Sequence, residues 1–324
     1  MHIKSEIQLE FFNLYAEDNF ILHQAKVDAD CAQGDFIHID AEKTFLQVKK
    51  FYAESSARLT EEKIWLEKEN IDLILSDIAS LPLKAGKQLG IPCLLIANFT
   101  WHDIYSHLAG ADDHHDLLDQ IRDEYASASL QILPQCHLDN QVIDHQQEVG
   151  LIAMTGQDKR KELGEFLQSS LEGKTLVFIY LGEIGDSPLD WKNLEAMEDC
   201  VFISRDPLPQ DINNLHILDE RFRYPDLIAS SDVVCTKAGY STLATAFAHN
   251  KPVISCSREN FIEFEAMKKF LQENEVGIIM EPAKFYACQW QEDIKKAQKL
   301  TVKGKVKLQG ELEVLEIIKQ LLEK

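Results

Sequence analysis

Short, uninterrupted apolar runs alternate along this chain with stretches whose apolar residues recur at helical spacing. Ile71-Asp72-Leu73-Ile74-Leu75 stops at Ser76-Asp77, and a helical segment is expected from about Leu81 to Leu89. Pro92 opens a second run, Cys93-Leu94-Leu95-Ile96-Ala97, which stops at Asn98. Runs without polar alternation suit strands buried on both faces of a parallel sheet. The rhythm returns at Thr175–Tyr180 and continues through Val201–Ile203, Asp232–Cys235, Pro252–Ser255 and Val276–Ile279. Strand–helix repetition in both halves predicts an α/β chain of two doubly wound, Rossmann-like units.

Between the halves, Gly150 to about Gly173 reads as a linker with a charged helical stretch at Asp158–Leu163. The expected domains are residues 1–155 and 156–324. The second ends in helices whose apolar face carries Leu312, Val314, Leu315, Ile317, Ile318, Leu321 and Leu322. Two domains also fit a length of 324 residues, more than one core usually covers. No apolar run approaches the roughly 20 residues a membrane span needs. The start, Met1-His2-Ile3-Lys4-Ser5-Glu6, lacks a signal-peptide pattern, so the cytoplasm is the expected compartment.

Charge narrows the partners. A net charge of −21 without a basic stripe repels nucleic acid and anionic lipid. The seven cysteines are odd in number and contain no C-x-x-C, so they indicate neither a zinc site nor a disulfide framework.

Ligands of open α/β sheets bind beyond the carboxyl ends of the strands. After Asp232–Cys235, the stretch Thr236-Lys237-Ala238-Gly239-Tyr240-Ser241-Thr242 reads as a tight loop, and Leu243–Ala248 as a helix. Glycine permits the turn, hydroxyls cap the helix, and its amides and dipole face the loop, which suits a diphosphate. Taken alone, the same residues also read as an ordinary strand–helix turn. A second loop, Gly182-Glu183-Ile184-Gly185, could bring backbone amides to a phosphate, though its spacing is neither P-loop nor Rossmann fingerprint. A third, Ser257 to Glu265, offers Arg258 for an anion and Glu263 for sugar hydroxyls. Three loops of one sheet would converge on one cleft.

The stretch from about Phe222 to Pro282 resembles the C-terminal half of MurG-type, family 28-like glycosyltransferases of the GT-B fold. The tokens are Tyr224-Pro225-Asp226-Leu227-Ile228-Ala229-Ser230-Ser231-Asp232, Lys237-Ala238-Gly239-Tyr240-Ser241-Thr242 and Asn250-Lys251-Pro252-Val253. It is similar, more closely, to the glycosyltransferase-like N-terminal region of plant L-arabinokinases and its stand-alone bacterial relatives. There K-x-G-Y-x-T precedes an arginine loop, matched by Arg258, Phe261 and Glu263. The Leu75-Ser76-Asp77 and Asn98-Phe99-Thr100-Trp101 loops match as well. The resemblance implies two Rossmann-like domains facing a cleft. It implies that Gly239, Ser241 and Thr242 hold a donor diphosphate, with Lys237, Tyr240, Gly182 and Gly185 around it. Arg258 would stand near phosphate, Glu263 on ribose or sugar, and the backbone at Phe222 and Arg223 on the base. The donor would be a UDP-sugar, and no metal would be needed.

One family feature has no counterpart: a first strand with a glycine/histidine loop, which often supplies the general base. Met1 falls where the second strand region would begin, so donor binding is expected to be better preserved than catalysis. The remaining base candidates are Asp77 and His102, with Asp103 beside the latter. The His/Asp stretch from His102 to Asp116 reads as a solvated loop rather than a metal site. The alternative to a transferase is a catalytically silent nucleotide-sugar-binding or regulatory protein. A nucleotide-sugar 2-epimerase shares the fold, but no acid/base set for it is visible.

Overall fold

β-Branched and leucine-rich runs build three parallel-paired sheets in the computed structural model, which describes all residues but 10, 13–18, 33–37, 141, 183–188, 210, 259–260 and 324. The chain divides into two units. The first gathers Met1–Ala32, Asp40–Ile132 and Asn140–Gln147; the second is mainly Glu148–Lys324, with Leu133–Asp139.

In the first unit, β1 (His2–Ser5) and β2 (Ile21–Gln24) pair in parallel as a separate sheet. Apolar side chains near them stay exposed, among them Met1, Ile7, Leu9, Phe11 and Ile21. A four-stranded sheet has the order β3 (Ile74–Ser76), β4 (Cys93–Ile96), β5 (Leu130–Pro134), β6 (Gln146–Val149). The helix after β3 spans Leu81–Leu89, as its spacing predicts, and stops at Gly90, whose φ of 74° suits the C-terminal cap.

The second unit carries β7 (Thr175–Tyr180), β8 (Cys200–Ser204), β9 (Leu215–Ile217), β10 (Val233–Thr236), β11 (Val253–Cys256) and β12 (Gly277–Met280). Their order is β12-β11-β10-β7-β8-β9, and neighbours run parallel. Counted from β7 and read from the β9 edge, this is the doubly wound order 3-2-1-4-5-6. Val177, Ile179, Phe202, Val233, Cys235 and Ile254 are buried in one core with Trp290, whose indole donates to the Phe285 carbonyl at 2.9 Å.

The strands at 175–180, 201–203, 232–235, 252–255 and 276–279 lie within a residue or so of their expected places. β9 was not foreseen, because Leu-His-Ile is too short for periodicity to show. Of the expected apolar stripe on the C-terminal helix, Gly310–Leu322, only Val314 and Ile317 are buried, while Leu312, Leu315 and Leu322 are 52%, 45% and 60% exposed. Its covered stripe is therefore narrower than the pattern predicts. No described helix is long and apolar enough to cross a membrane.

Candidate functional site

β7 and β10 lie side by side, with Tyr180 paired to Thr236. The strand order reverses between them, and open α/β sheets bind ligands outside the carboxyl ends at such a switch point. The residues leaving the two strands meet there. Gly182 has φ +80°, and a Cβ built on it would come within 3.1 Å of the Lys237 ammonium nitrogen. Only glycine meets both constraints comfortably.

After β10, Ala238 adopts φ 59°, a left-handed conformation that costs a non-glycine residue roughly 1–2 kcal/mol. It turns the chain so that the next helix begins at Tyr240 and runs to Ala248. Tyr240, Ser241 and Thr242 thus form its first turn rather than the loop expected from sequence. Its N-cap is Gly239, so no side chain caps it and the expected hydroxyl caps are not the arrangement found. The positive end of the helix therefore carries no capping side chain. Among the described residues nothing lies within 4 Å of a Cβ built on Gly239; Ser241 is exposed and Thr242 is buried.

A carboxylate that the sequence reading did not single out completes this corner. The Ser204 hydroxyl, at the end of β8, donates to the Ile179 carbonyl of β7 at 2.8 Å and accepts the Asp206 N–H at 3.0 Å. Asp206, only 6% exposed, in turn accepts the Leu181 N–H at 3.1 Å. Desolvation raises its carboxyl to about 6, against the Leu181 and Gly182 amides and the Lys237 and Arg205 charges, which pull it down. The signal available beforehand was an aspartate three residues beyond the predicted run Val201–Ile203. Arg205 stacks over Tyr224 at 4.7 Å and lines a pocket of about 510 Å³ with Leu218, Asp219, Glu220 and Arg221.

The other sequence candidates fall in different places. Arg258 and Glu263 follow β11, the next strand over, and are 5% and 7% exposed. The Arg258 guanidinium lies over the Phe261 ring at 4.2 Å. Phe222 is buried against Phe166, and Arg223 makes a two-point ion pair with Asp226, each contact 3.0 Å. Both side chains are thus engaged with neighbours in the second unit. The Tyr240 hydroxyl accepts the Ile152 N–H at 3.0 Å and is engaged with the segment that enters this unit. Gly185 lies outside the described residues.

On the first unit, Asp77 follows β3 at a strained turn: Ile78, β-branched, has φ 68°. The Tyr125 hydroxyl donates to the Ile78 carbonyl at 2.5 Å and accepts the Trp101 N–H at 3.0 Å, tying the loops after β3 and β4 together. The Trp101 indole donates to Asp28 at 3.1 Å. Loss of hydration, then the charge of Asp28, raises the Asp77 carboxyl above its ordinary value. Burial lowers His102, whose Nδ1 has no partner among the described residues. Asp103 forms a capping box with Thr100 at the start of Trp101–Ser106 and is committed to that helix. Among the described residues no three ligand-type side chains converge on a metal position.

No protein-family model matches the chain. It is 23% identical over 291 residues to the L-arabinokinase of Arabidopsis thaliana, covering 86% of this chain and 27% of that protein. The chain thus spans about a quarter of the length of the curated relative it matches. Among solved structures, a Polygonum tinctorium UDP-glucosyltransferase capable of glucosylating indoxyl superposes with TM-score 0.62 at 11% identity, over 97% of this chain and 89% of that one. Phytolacca americana UGT2, complexed with UDP-2-fluoro-glucose and pterostilbene, gives 0.59 at 11% identity, over 94% and 84%. The MurG of Acinetobacter baumannii gives 0.53 at 14% identity, over 96% and 87%. The fold is the two-domain, Rossmann-like GT-B fold of glycosyltransferases.

Proposed function

We propose that this chain transfers a sugar from a nucleotide-diphosphate donor, UDP-linked, to a hydroxyl-bearing acceptor. The observation that supports the reading most is the meeting of the Gly182 turn, Lys237 and the uncapped start of Tyr240–Ala248 at one switch point. First-turn amides, a helix dipole and an ammonium group suit a double phosphate. The fold likeness to proteins solved as a UDP-glucosyltransferase and with UDP-2-fluoro-glucose supports uracil as the base.

In this reading the bond from the anomeric carbon to the diphosphate oxygen breaks, and its electron pair leaves with the diphosphate. The first-turn amides and Lys237 stabilise that charge, so no metal is required and transfer continues in a chelator. The acceptor oxygen forms the new bond to the anomeric carbon, and its proton passes to Asp77. His102, neutral and half-buried, is the second candidate for that proton. Arg258 attends the phosphates, Glu263 a ribose or sugar hydroxyl, and the backbone of Phe222-Arg223 the base.

A thermal-shift titration with UDP and UDP-glucose tests the donor half: ligand selective for the folded state raises the melting temperature. Gly239→Ala with Thr242→Ala abolishes that shift. Absence of any shift with nucleotide diphosphates at millimolar concentration defeats the proposal. Release of UDP from UDP-glucose, slow without acceptor, separates a transferase from a silent binder.

A further inference from the structure

Asp206 occupies an unusual position for an acidic group beside a phosphate site. Its carboxylate is almost wholly buried and accepts the amide of Leu181 at 3.1 Å, with the Gly182 amide adding to it. Two successive amides aimed at one point make an anion-binding concavity, and here a side chain of the protein fills it. The position is fixed from behind, because Ser204 holds the Asp206 N–H while bonded to β7. Among the described residues, the charges that act on this carboxylate are Arg205 on its own loop and Lys237 from the loop after β10. Arg205 in turn acts on Asp219, which is paired with Arg221 at 2.7 Å in the loop after β9.

We infer that donor binding at the switch point delivers a proton to Asp206, whose carboxylate fills the Leu181–Gly182 amides beside Lys237. This rests on the donor-site reading above. A diphosphate held by Lys237 and the start of Tyr240–Ala248 brings a second anion to a poorly hydrated carboxylate. Two like charges brought close in a poorly hydrated site disfavour each other, and the group that can neutralise itself is Asp206. The free carboxyl already titrates at about 6, so the bound one titrates nearer neutrality. By reciprocity, protonation and donor binding strengthen each other equally. Affinity is therefore highest in mild acid and falls as pH rises through neutrality.

The test is isothermal titration of the full chain with UDP-glucose. The diphosphate diester of that probe keeps a fixed charge across the range, so a pH effect belongs to the protein. We expect Kd to rise roughly 3- to 10-fold between about pH 5.5 and about pH 8, the size of a shift of half to one pKa unit. Buffers of different ionisation enthalpy report net proton uptake near neutrality. Asp206→Asn removes both the uptake and the pH dependence, and binds at the higher pH as tightly as the unaltered chain does at the lower. Binding without proton uptake overturns the inference alone. An Asp206→Asn chain that is folded but keeps the pH dependence also overturns it. No binding of UDP-glucose at any pH defeats the donor-site reading itself, and the inference with it.

Discussion

The hydroxyl of Tyr240 accepts the backbone N–H of Ile152 at 3.0 Å. Two residues on, the Met154 N–H reaches Thr245 at 3.3 Å, and two further on the Gly156 N–H reaches His249 Nε2 at 3.0 Å. Every second amide of the entering segment is thus received by side chains in or just after one helix, the helix whose start opens on the switch point. The adjoining helix joins in, with Gln157 N–H on Asp226 at 2.8 Å and Lys159 N–H on Ser230 at 2.7 Å. Tyr240 therefore holds the helix in place instead of facing a ligand with its hydroxyl.

Tyr240→Phe separates these roles. It leaves the Ile152 amide without its partner and lowers stability by about 1 kcal/mol. Affinity for UDP-glucose stays within about twofold, because the first-turn backbone is unchanged. Chemical denaturation and calorimetric titration of the same sample check both halves. Weakened binding at undiminished stability would return Tyr240 to the ligand.

Gly156→Ala probes the same segment sterically. A Cβ at this position would lie 2.0 Å from the Pro225 carbonyl oxygen, a backbone atom at the start of a helix. Neither side can yield cheaply, so the unfolding midpoint falls by the equivalent of about 3 kcal/mol. A variant as stable as the parent would mean the segment runs elsewhere.

Much of the second unit was legible because its central strands are buried on both faces. Leu176–Ile179 is apolar throughout, and the run is bounded by Gly173-Lys174 and Gly182, so run length alone marks it. The loop after β10 was legible as a turn, yet its helix starts three residues earlier than expected. The pattern shows apolar Leu243 first, whereas Ala238, not a glycine, takes the left-handed turn. Asp206 was missed for a different reason. Its importance lies in a hydrogen bond to Leu181, 25 residues away in the chain, and strand adjacency is invisible before the sheet order is known. Arg223 was readable as a site residue only by position; its pairing with Asp226 at helical spacing is the more local clue.

The two glycines of the switch point behave oppositely when replaced. At Gly182 the backbone has φ +80° and Lys237 crowds the site, so Gly182→Ala costs roughly 1–2 kcal/mol and displaces the lysine. At Gly239 φ is −73° and no described residue comes within 4 Å of an added Cβ, so Gly239→Ala leaves stability within about 0.5 kcal/mol. Both substitutions weaken UDP-glucose binding, by about tenfold or more, since each intrudes where a phosphate must approach closely. Parallel melting and titration of the pair decide the matter: unaltered affinity in Gly239→Ala would show that no ligand passes that turn.

Asp77 carries the catalytic half of the proposal, and its environment fixes the sign of the pH effect. A general base works only when ionised. Desolvation and the neighbouring Asp28 charge both raise the Asp77 carboxyl, so turnover climbs with pH over a range above the ordinary aspartate value. Asp77→Asn lowers kcat by about 10²- to 10⁴-fold while donor binding persists, because the diphosphate receptor lies in the other unit. Asp28→Asn removes one of the two influences that raise Asp77, so the acid limb of the rate profile moves to lower pH. The Trp101 indole keeps an acceptor in the asparagine oxygen, which preserves the local fold. An Asp28→Asn profile shifted to higher pH, or full turnover in Asp77→Asn, would pass the proton to His102, whose lowered titration gives a limb set by imidazole instead.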